Sequence, residues 1–173
     1  MYVDADERID DNLISEIKRA VNQDKYSAYY FPRKNFILGK WLAHTGFWPD
    51  YVPKLFKREK LVKWRGKVHE SPEIEGSFGT LKTPLVHLTA ESMGQMFKKS
   101  IKWAKIEAEL SFQANHSQVT ILKVVKAIFL EFITRFFVKK GFLDGTVGLI
   151  ESIYQTLHKA MVLTYLWERQ THD

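Results

Sequence analysis

Tyr2-Val3-Asp4-Ala5-Asp6-Glu7-Arg8-Ile9 places two carboxylates one residue apart, at what the local pattern predicts to be the exit of a β-strand. Tyr2 and Val3 favour an extended backbone, while Asp10, Asp11 and the periodic run after them predict a helix entrance. The acidic pair is then expected in a strand-to-helix loop, within an α/β arrangement. There Asp4 and Asp6 can offer hard oxygen ligands to one Mg²⁺ or Mn²⁺, and a cation held that way can bridge to a diphosphate. The competing reading of the same residues is that Asp4, Asp6 and Glu7 only favour a helix N-terminus through the dipole.

Composition bounds the rest. A chain of 173 residues, 45% hydrophobic and 14% aromatic, is long enough for a substantial core and too apolar for disorder. Its formal charge of +6 favours anionic partners, whether nucleic acid, anionic lipid or a phosphorylated substrate. No recognised nucleic-acid-binding signature accompanies the charge, so no nucleic-acid partner is expected. With no cysteine, neither a disulfide framework nor a thiolate zinc site is open to the chain. The N-terminus lacks the charged-then-apolar pattern of a signal peptide, which predicts a cytoplasmic location.

Outward from the acidic stretch, Leu13, Ile14, Ile17, Ala20 and Val21 recur at helical spacing over residues 10–23, with Glu16, Lys18 and Arg19 expected to face water. Residues 26–31 and 35–42 predict two strands joined by a basic turn at Pro32-Arg33-Lys34. Arg33 and Lys34 would then sit at a loop tip, either near a diphosphate or as a solvated turn. Gly46-Phe47-Trp48-Pro49-Asp50 predicts a turn whose aromatics either fill the core or stack on a sugar face. Lys54-Leu55-Phe56-Lys57-Arg58 predicts a further strand. Residues 73–82, with Gly76 and Gly79 in a polar setting, predict a loop able to close over substrate. His87 lies on a short apolar strand, where a lone histidine is more often structural than a ligand.

In the second half, residues 91–114 predict an amphipathic basic helix, with Met93, Met96, Phe97, Ile101, Ala104 and Ala108 against Lys98, Lys99, Lys102 and Lys105. Asn115-His116-Ser117 breaks it. Residues 119–138 confine Lys123, Lys126, Glu131 and Arg135 to a narrow polar seam. Charges at that spacing exclude a simple transmembrane span, which needs about 20 predominantly apolar residues. Two readings stay open: a helix clamped between other elements, or one lying in a bilayer interface with lysines at the headgroups and Phe side chains below. Gly141 suits a helix C-cap and Asp144 the start of the next helix. That helix is expected to pack through Ile150, Ile153, Tyr154, Leu157, Met161 and Tyr165.

Six motifs occur together in order: Asp4-Ala5-Asp6-Glu7-Arg8-Ile9, Arg33-Lys34-Asn35, Lys54-Leu55-Phe56-Lys57-Arg58, Trp64-Arg65-Gly66-Lys67-Val68-His69-Glu70, Pro84-Leu85-Val86-His87-Leu88-Thr89 and Gly141-Phe142-Leu143-Asp144-Gly145. With these motifs the chain resembles the C-terminal part of family 2 glycosyltransferases, of the kind similar to the lipopolysaccharide core glucosyltransferases. The resemblance implies an α/β fold: the C-terminal part of a GT-A, Rossmann-like glycosyltransferase domain over residues 1–89, carrying acceptor and metal sites. A basic, amphipathic, membrane-associated helical appendage would follow over residues 90–173. In such enzymes the acidic motif lies mid-chain, so its position at residue 4 implies that the nucleotide-binding half is absent.

The activity implied is inverting, metal-dependent transfer of a hexose from a nucleotide sugar, a UDP-sugar, to a glycan or glycolipid acceptor. The setting is the inner face of the cell membrane, in lipopolysaccharide core or other cell-envelope polysaccharide synthesis, with an anionic membrane surface as partner. Asp4 and Asp6 (a DxD motif), joined by His87, would hold the Mg²⁺ or Mn²⁺. Arg33, Arg58 and Trp64 would line the substrate site. Such transfer needs a base to take the proton of the attacking acceptor hydroxyl. Glu70 is the candidate, with His69 orienting it or binding the donor. The alternative, from a different class, is a non-catalytic, basic, membrane-associated module left after loss of the nucleotide-binding half.

Overall fold

A computed structural model of the chain describes residues 1–66 and 71–172. The chain is mixed α/β and divides into two compact units, Met1–Thr89 and Ala90–Asp173.

The first unit is organised around one long strand. After the short β1 (Glu7–Arg8) and helix α1 (Asp11–Gln23), strand β2 runs unbroken from Ala28 to Ile37. The turn expected at Pro32-Arg33-Lys34 is therefore absent: Pro32 lies in the ladder opposite Tyr51 and Arg33 opposite Asp50. Those partners belong to β4 (Asp50–Phe56), which follows a hairpin partner, β3 (Lys40–Trp41). Residues 73–82 also form more than the expected loop. Strand β5 (Leu61–Arg65) pairs antiparallel with β6 (Ser71–Ile74), and β7 (Phe78–Thr80) runs parallel to β2. Strand β8 (Leu85–Ala90) completes a mixed sheet in the order β1-β8-β2-β3, with β4 and β7 also on β2. Gly79 is required here, since a Cβ would fall 2.6 Å from the Tyr26 ring.

Alternation along β2 explains why it is central. Tyr29, Phe31, Asn35 and Ile37 share a face by the strand period of two and are all buried. Helix α1 covers the sheet with Leu13 and Ala20, which join Tyr29, Phe31, Leu81 and Leu85 in one cluster. Asp10 caps the helix by accepting from the Leu13 N–H at 2.8 Å. Glu16, expected in water, instead accepts the backbone N–H groups of Lys82 and Thr83, both at 2.8 Å.

The second unit is helical. Helix α2 (Met93–Gln113) starts at a Ser92 cap, and α3 (Ile121–Ile133) at a Thr120 cap. A π-helical turn (Thr134–Val138) and a 3₁₀ turn (Gly141–Asp144) lead into α4 (Gly145–His172). The left-handed residue between the two turns is Lys140, at φ 56°, and not the expected Gly141. The close packing here falls to Gly148, where a Cβ would lie 2.0 Å from the Gly141 carbonyl oxygen. Helix α4 buries the expected face only in part: Ile150, Tyr154, Met161 and Tyr165 are half-buried, and Tyr154 packs against α2 through Ser100 and Phe97. Gly148, Glu151, Ser152, Thr156, Val162, Leu163 and Leu166 point inward, whereas Ile153 and Leu157 are each 44% exposed. Small residues hold the inward positions in the first turns of α4, and Val162, Leu163 and Leu166 hold them toward its C-terminus. Among the described residues, no helix is long and apolar enough to cross a membrane.

Candidate functional site

The acidic residues sit in a tight turn before β1, closed by the Glu7 N–H donating to the Asp4 carbonyl at 3.0 Å. This differs from the expected loop between strand and helix. The N-terminal residues are nevertheless tied to the sheet: Tyr2 N–H donates to the Lys54 carbonyl at 3.1 Å, and its hydroxyl to the Pro53 carbonyl at 2.9 Å. Burial, with the fields of Asp4 and Glu7, pushes the Tyr2 phenol up to about 12.

From this turn a continuous polar network crosses β1, β4, β2 and β8. Lys54, buried on β4, donates to Asp4 Oδ2 at 2.7 Å and lies 2.9 Å from Glu7 Oε1, with its ammonium 4.5 Å from the centre of the Tyr2 ring. Glu7 is itself buried, and its other oxygen accepts the Asp4 N–H at 2.9 Å. Glu7 Oε1 is close to Lys54 yet makes no hydrogen bond of good geometry among the described residues. The contact is an ion pair without alignment, and Arg33 approaches the same oxygen at 3.9 Å. Arg33 is held by Asp50 at 2.7 Å, and Asp50 also accepts from Asn35 Nδ2 at 3.0 Å.

Asn35 fixes the state of His87. The Asn35 Nδ2 donates to Asp50 and to the Phe47 carbonyl, so its Oδ1 is the acceptor facing His87 Nδ1 at 2.7 Å. His87 Nδ1–H therefore donates to Asn35, and Nε2 faces Asp6 Oδ2 at 3.4 Å. Burial and the Arg33 charge hold His87 below the usual histidine range, against the opposing pull of Asp6 and Glu7. Either a proton on Nε2 or a cation shared with Asp6 would complete this contact.

The expected site residues separate accordingly. Asp6 and His87 come together, while Asp4 is engaged by Lys54. A shared ion fits the Asp6–His87 spacing, since cis ligands at about 2.1 Å from an octahedral ion stand roughly 3 Å apart. Among the described residues no group of three or more His, Asp and Glu is gathered around one point. Arg33 points into the network, whereas Arg58 lies exposed in a 3₁₀ turn (Arg58–Lys60) and Trp64 packs edge-on against Tyr2 at 5.1 Å. Glu70 and His69 lie outside the described residues. Sequence reasoning missed Glu7, Lys54, Asn35 and Asp50 as members of the network. The signal for Asn35 was available: a period of two carried through residues 28–37 puts it on the face of Phe31 and Ile37. No protein-family profile matches the chain, and no solved structure matches it.

Proposed function

We propose that the chain serves metal-assisted transfer of a hexose from a nucleotide sugar, a UDP-sugar, to a glycan or glycolipid acceptor at an anionic membrane surface. The observation that carries this reading is the pairing of Asp6 Oδ2 with Nε2 of His87, 3.4 Å apart beneath a partly exposed turn. Asp6 and His87 would hold a Mg²⁺ or Mn²⁺ that neutralises the leaving diphosphate. The chain's own residues do the positioning. Asn35 holds the imidazole in the ligating tautomer, as outer partners of metal-bound histidines do. Arg33, anchored by Asp50, keeps a guanidinium beside the site, where it favours an anionic donor. The Lys54–Glu7 pair fixes the turn and occupies Asp4, which leaves Asp6 as the carboxylate free to bind. The resemblance adds Glu70 as the base that takes the acceptor proton, with His69 beside it. The finer fold belongs to the same reading: a GT-A domain portion carrying this site.

The test is Mn²⁺ titration followed by electron paramagnetic resonance, with and without UDP, beside a transfer assay with UDP-sugars. Asp6→Asn and His87→Gln should each weaken Mn²⁺ binding by tenfold or more, and UDP should tighten it in the wild type only. Asp4→Asn should leave the metal affinity nearly unchanged. Equal losses in all three variants would restore an Asp4–Asp6 pair as the ligand set. No Mn²⁺ or UDP binding in the wild type would favour the non-catalytic membrane module.

A further inference from the structure

The helical unit leaves its most apolar helix on the surface. Helix α3 is the most apolar helix of the chain, yet none of its residues is buried: Ile121 is 86% exposed, Leu122 76% and Phe129 63%. The exposed surface continues through Val138, Phe142 and Leu143, and onto α4 at Ile153 and Leu157. Between the two helices an apolar groove of about 480 Å³ runs past Val125, Phe129, Ile153 and Leu157. Met96, Val162, Leu163 and Leu166 are buried, but most other inward positions are small or polar. They include Ser100, Ala104 and Ala108 on α2 and Gly148, Glu151, Ser152 and Thr156 on α4. The inward hydroxyls are satisfied: Ser152 donates to the Gly148 carbonyl at 2.7 Å and Thr156 to the Ser152 carbonyl at 2.8 Å within α4, and Ser100 donates across to the Tyr154 oxygen at 2.9 Å.

In water this arrangement is unfavourable, since soluble monomers rarely expose contiguous apolar patches beyond a few hundred Å². In lipid it is the expected one, because helices there pack through small residues and turn their large apolar side chains outward. Charge selects the kind of surface. Lys123, Lys126, Lys139 and Lys140 lie along the same segment, while its one glutamate, Glu131, is paired with Arg135 at 2.6 Å. The 13 residues of α3 span roughly 20 Å, against a hydrocarbon core of about 30 Å.

We propose that the face shared by α3, the turns after it and α4 inserts into one leaflet of an anionic bilayer, with the helices lying in the interface and the lysines at the headgroups. This rests on the membrane part of the proposed function and adds which face enters the lipid. Lipid covers the side chains of Val125, Phe129, Ile153 and Leu157, and Lys126 snorkels to phosphate. Helix α2, whose outward face carries Lys98, Lys99 and Lys102, stays outside the hydrocarbon.

The absence of cysteine makes the test direct. Single-cysteine variants Val125→Cys, Phe129→Cys and Leu157→Cys, with Lys98→Cys and Glu168→Cys as controls, are labelled with an environment-sensitive fluorophore. They are mixed with phosphatidylglycerol–phosphatidylcholine vesicles, pure phosphatidylcholine vesicles, or none. The first three labels should shift to the blue and be quenched by lipids spin-labelled on the acyl chain, only with the anionic vesicles, and the controls should not. Phe129→Gln should lower vesicle partitioning roughly tenfold, the loss of one buried aromatic side chain. Co-sedimentation with unchanged labels at these three positions would overturn the assignment of the face while keeping membrane binding. No co-sedimentation would overturn both. A blue shift that grows with protein concentration without vesicles would overturn the bilayer in favour of a second copy of the chain.

Discussion

Glu151 is the most stringent point at which to test the helical unit. Its carboxyl is fully buried on α4, with Oε1 accepting from Gln155 Nε2 at 2.6 Å and Oε2 without a hydrogen bond among the described residues. Burial raises its pKa from 4.5 to about 7, with the Gln155 hydrogen bond and the Arg135 charge opposing. Between those two values the unfolded chain ionises Glu151 while the fold keeps it protonated, so the unfolded state binds fewer protons. Stability therefore falls as pH rises through this window, is least affected below about 4.5, and levels off above about 7. At 1.36 kcal/mol per pH unit of displacement, the full cost is roughly 3 kcal/mol. Glu151→Gln keeps the shape and the bond from Gln155 but cannot ionise. It should match the wild type near pH 4.5 and exceed it by up to about 3 kcal/mol at pH 8. Urea unfolding followed by circular dichroism at 222 nm reads the difference. A variant that tracks the wild type with the same offset at both pH values would show that Glu151 ionises freely, and that the interior of this unit is wet.

Gly148→Ala should destabilise the same unit by roughly 1–3 kcal/mol, because its Cβ would meet the Gly141 carbonyl oxygen at 2.0 Å; an unchanged urea midpoint would show that the turn can yield. In the first unit, Lys54→Met leaves Glu7 buried without its nearest cation and should cost about 3–5 kcal/mol. Adding Glu7→Leu should recover most of that loss, and a double variant no better than the single one would mean that Lys54 acts by packing alone.

Much of the local structure was legible in the sequence. Apolar spacing placed helix α1 within one residue, the break at Asn115-His116-Ser117 separated two helices, and the charge spacing of residues 119–138 ruled out a membrane span. These are short-range properties: helix period, caps and breakers act within a few residues, so a single chain displays them. Errors arose where distant residues decide. Pro32-Arg33-Lys34 carries turn residues, but pairing with Tyr51 and Asp50 on β4 holds it extended. Glu16 has the look of a solvated helix residue until the loop at Lys82-Thr83 brings two unpaired N–H groups to it.

The candidate site divides the same way. The residues themselves singled out Asp4, Asp6 and Arg33 as types suited to a cation and a diphosphate, and the resemblance added His87. Only the tertiary structure decided that Lys54, from a strand fifty positions away, occupies Asp4, and that Asn35 holds Nδ1 of His87 while Nε2 faces Asp6. In the helical unit the apolar run was plain, but its direction was not. Hydrophobic periodicity says that a face seeks an apolar environment; it does not say whether protein or lipid supplies it. Only packing settled the direction: Gly148 meets the turn at Gly141 and Asp144, while Val162, Leu163 and Leu166 turn inward, and the large side chains of α3 with Ile153 and Leu157 remain on the outer surface.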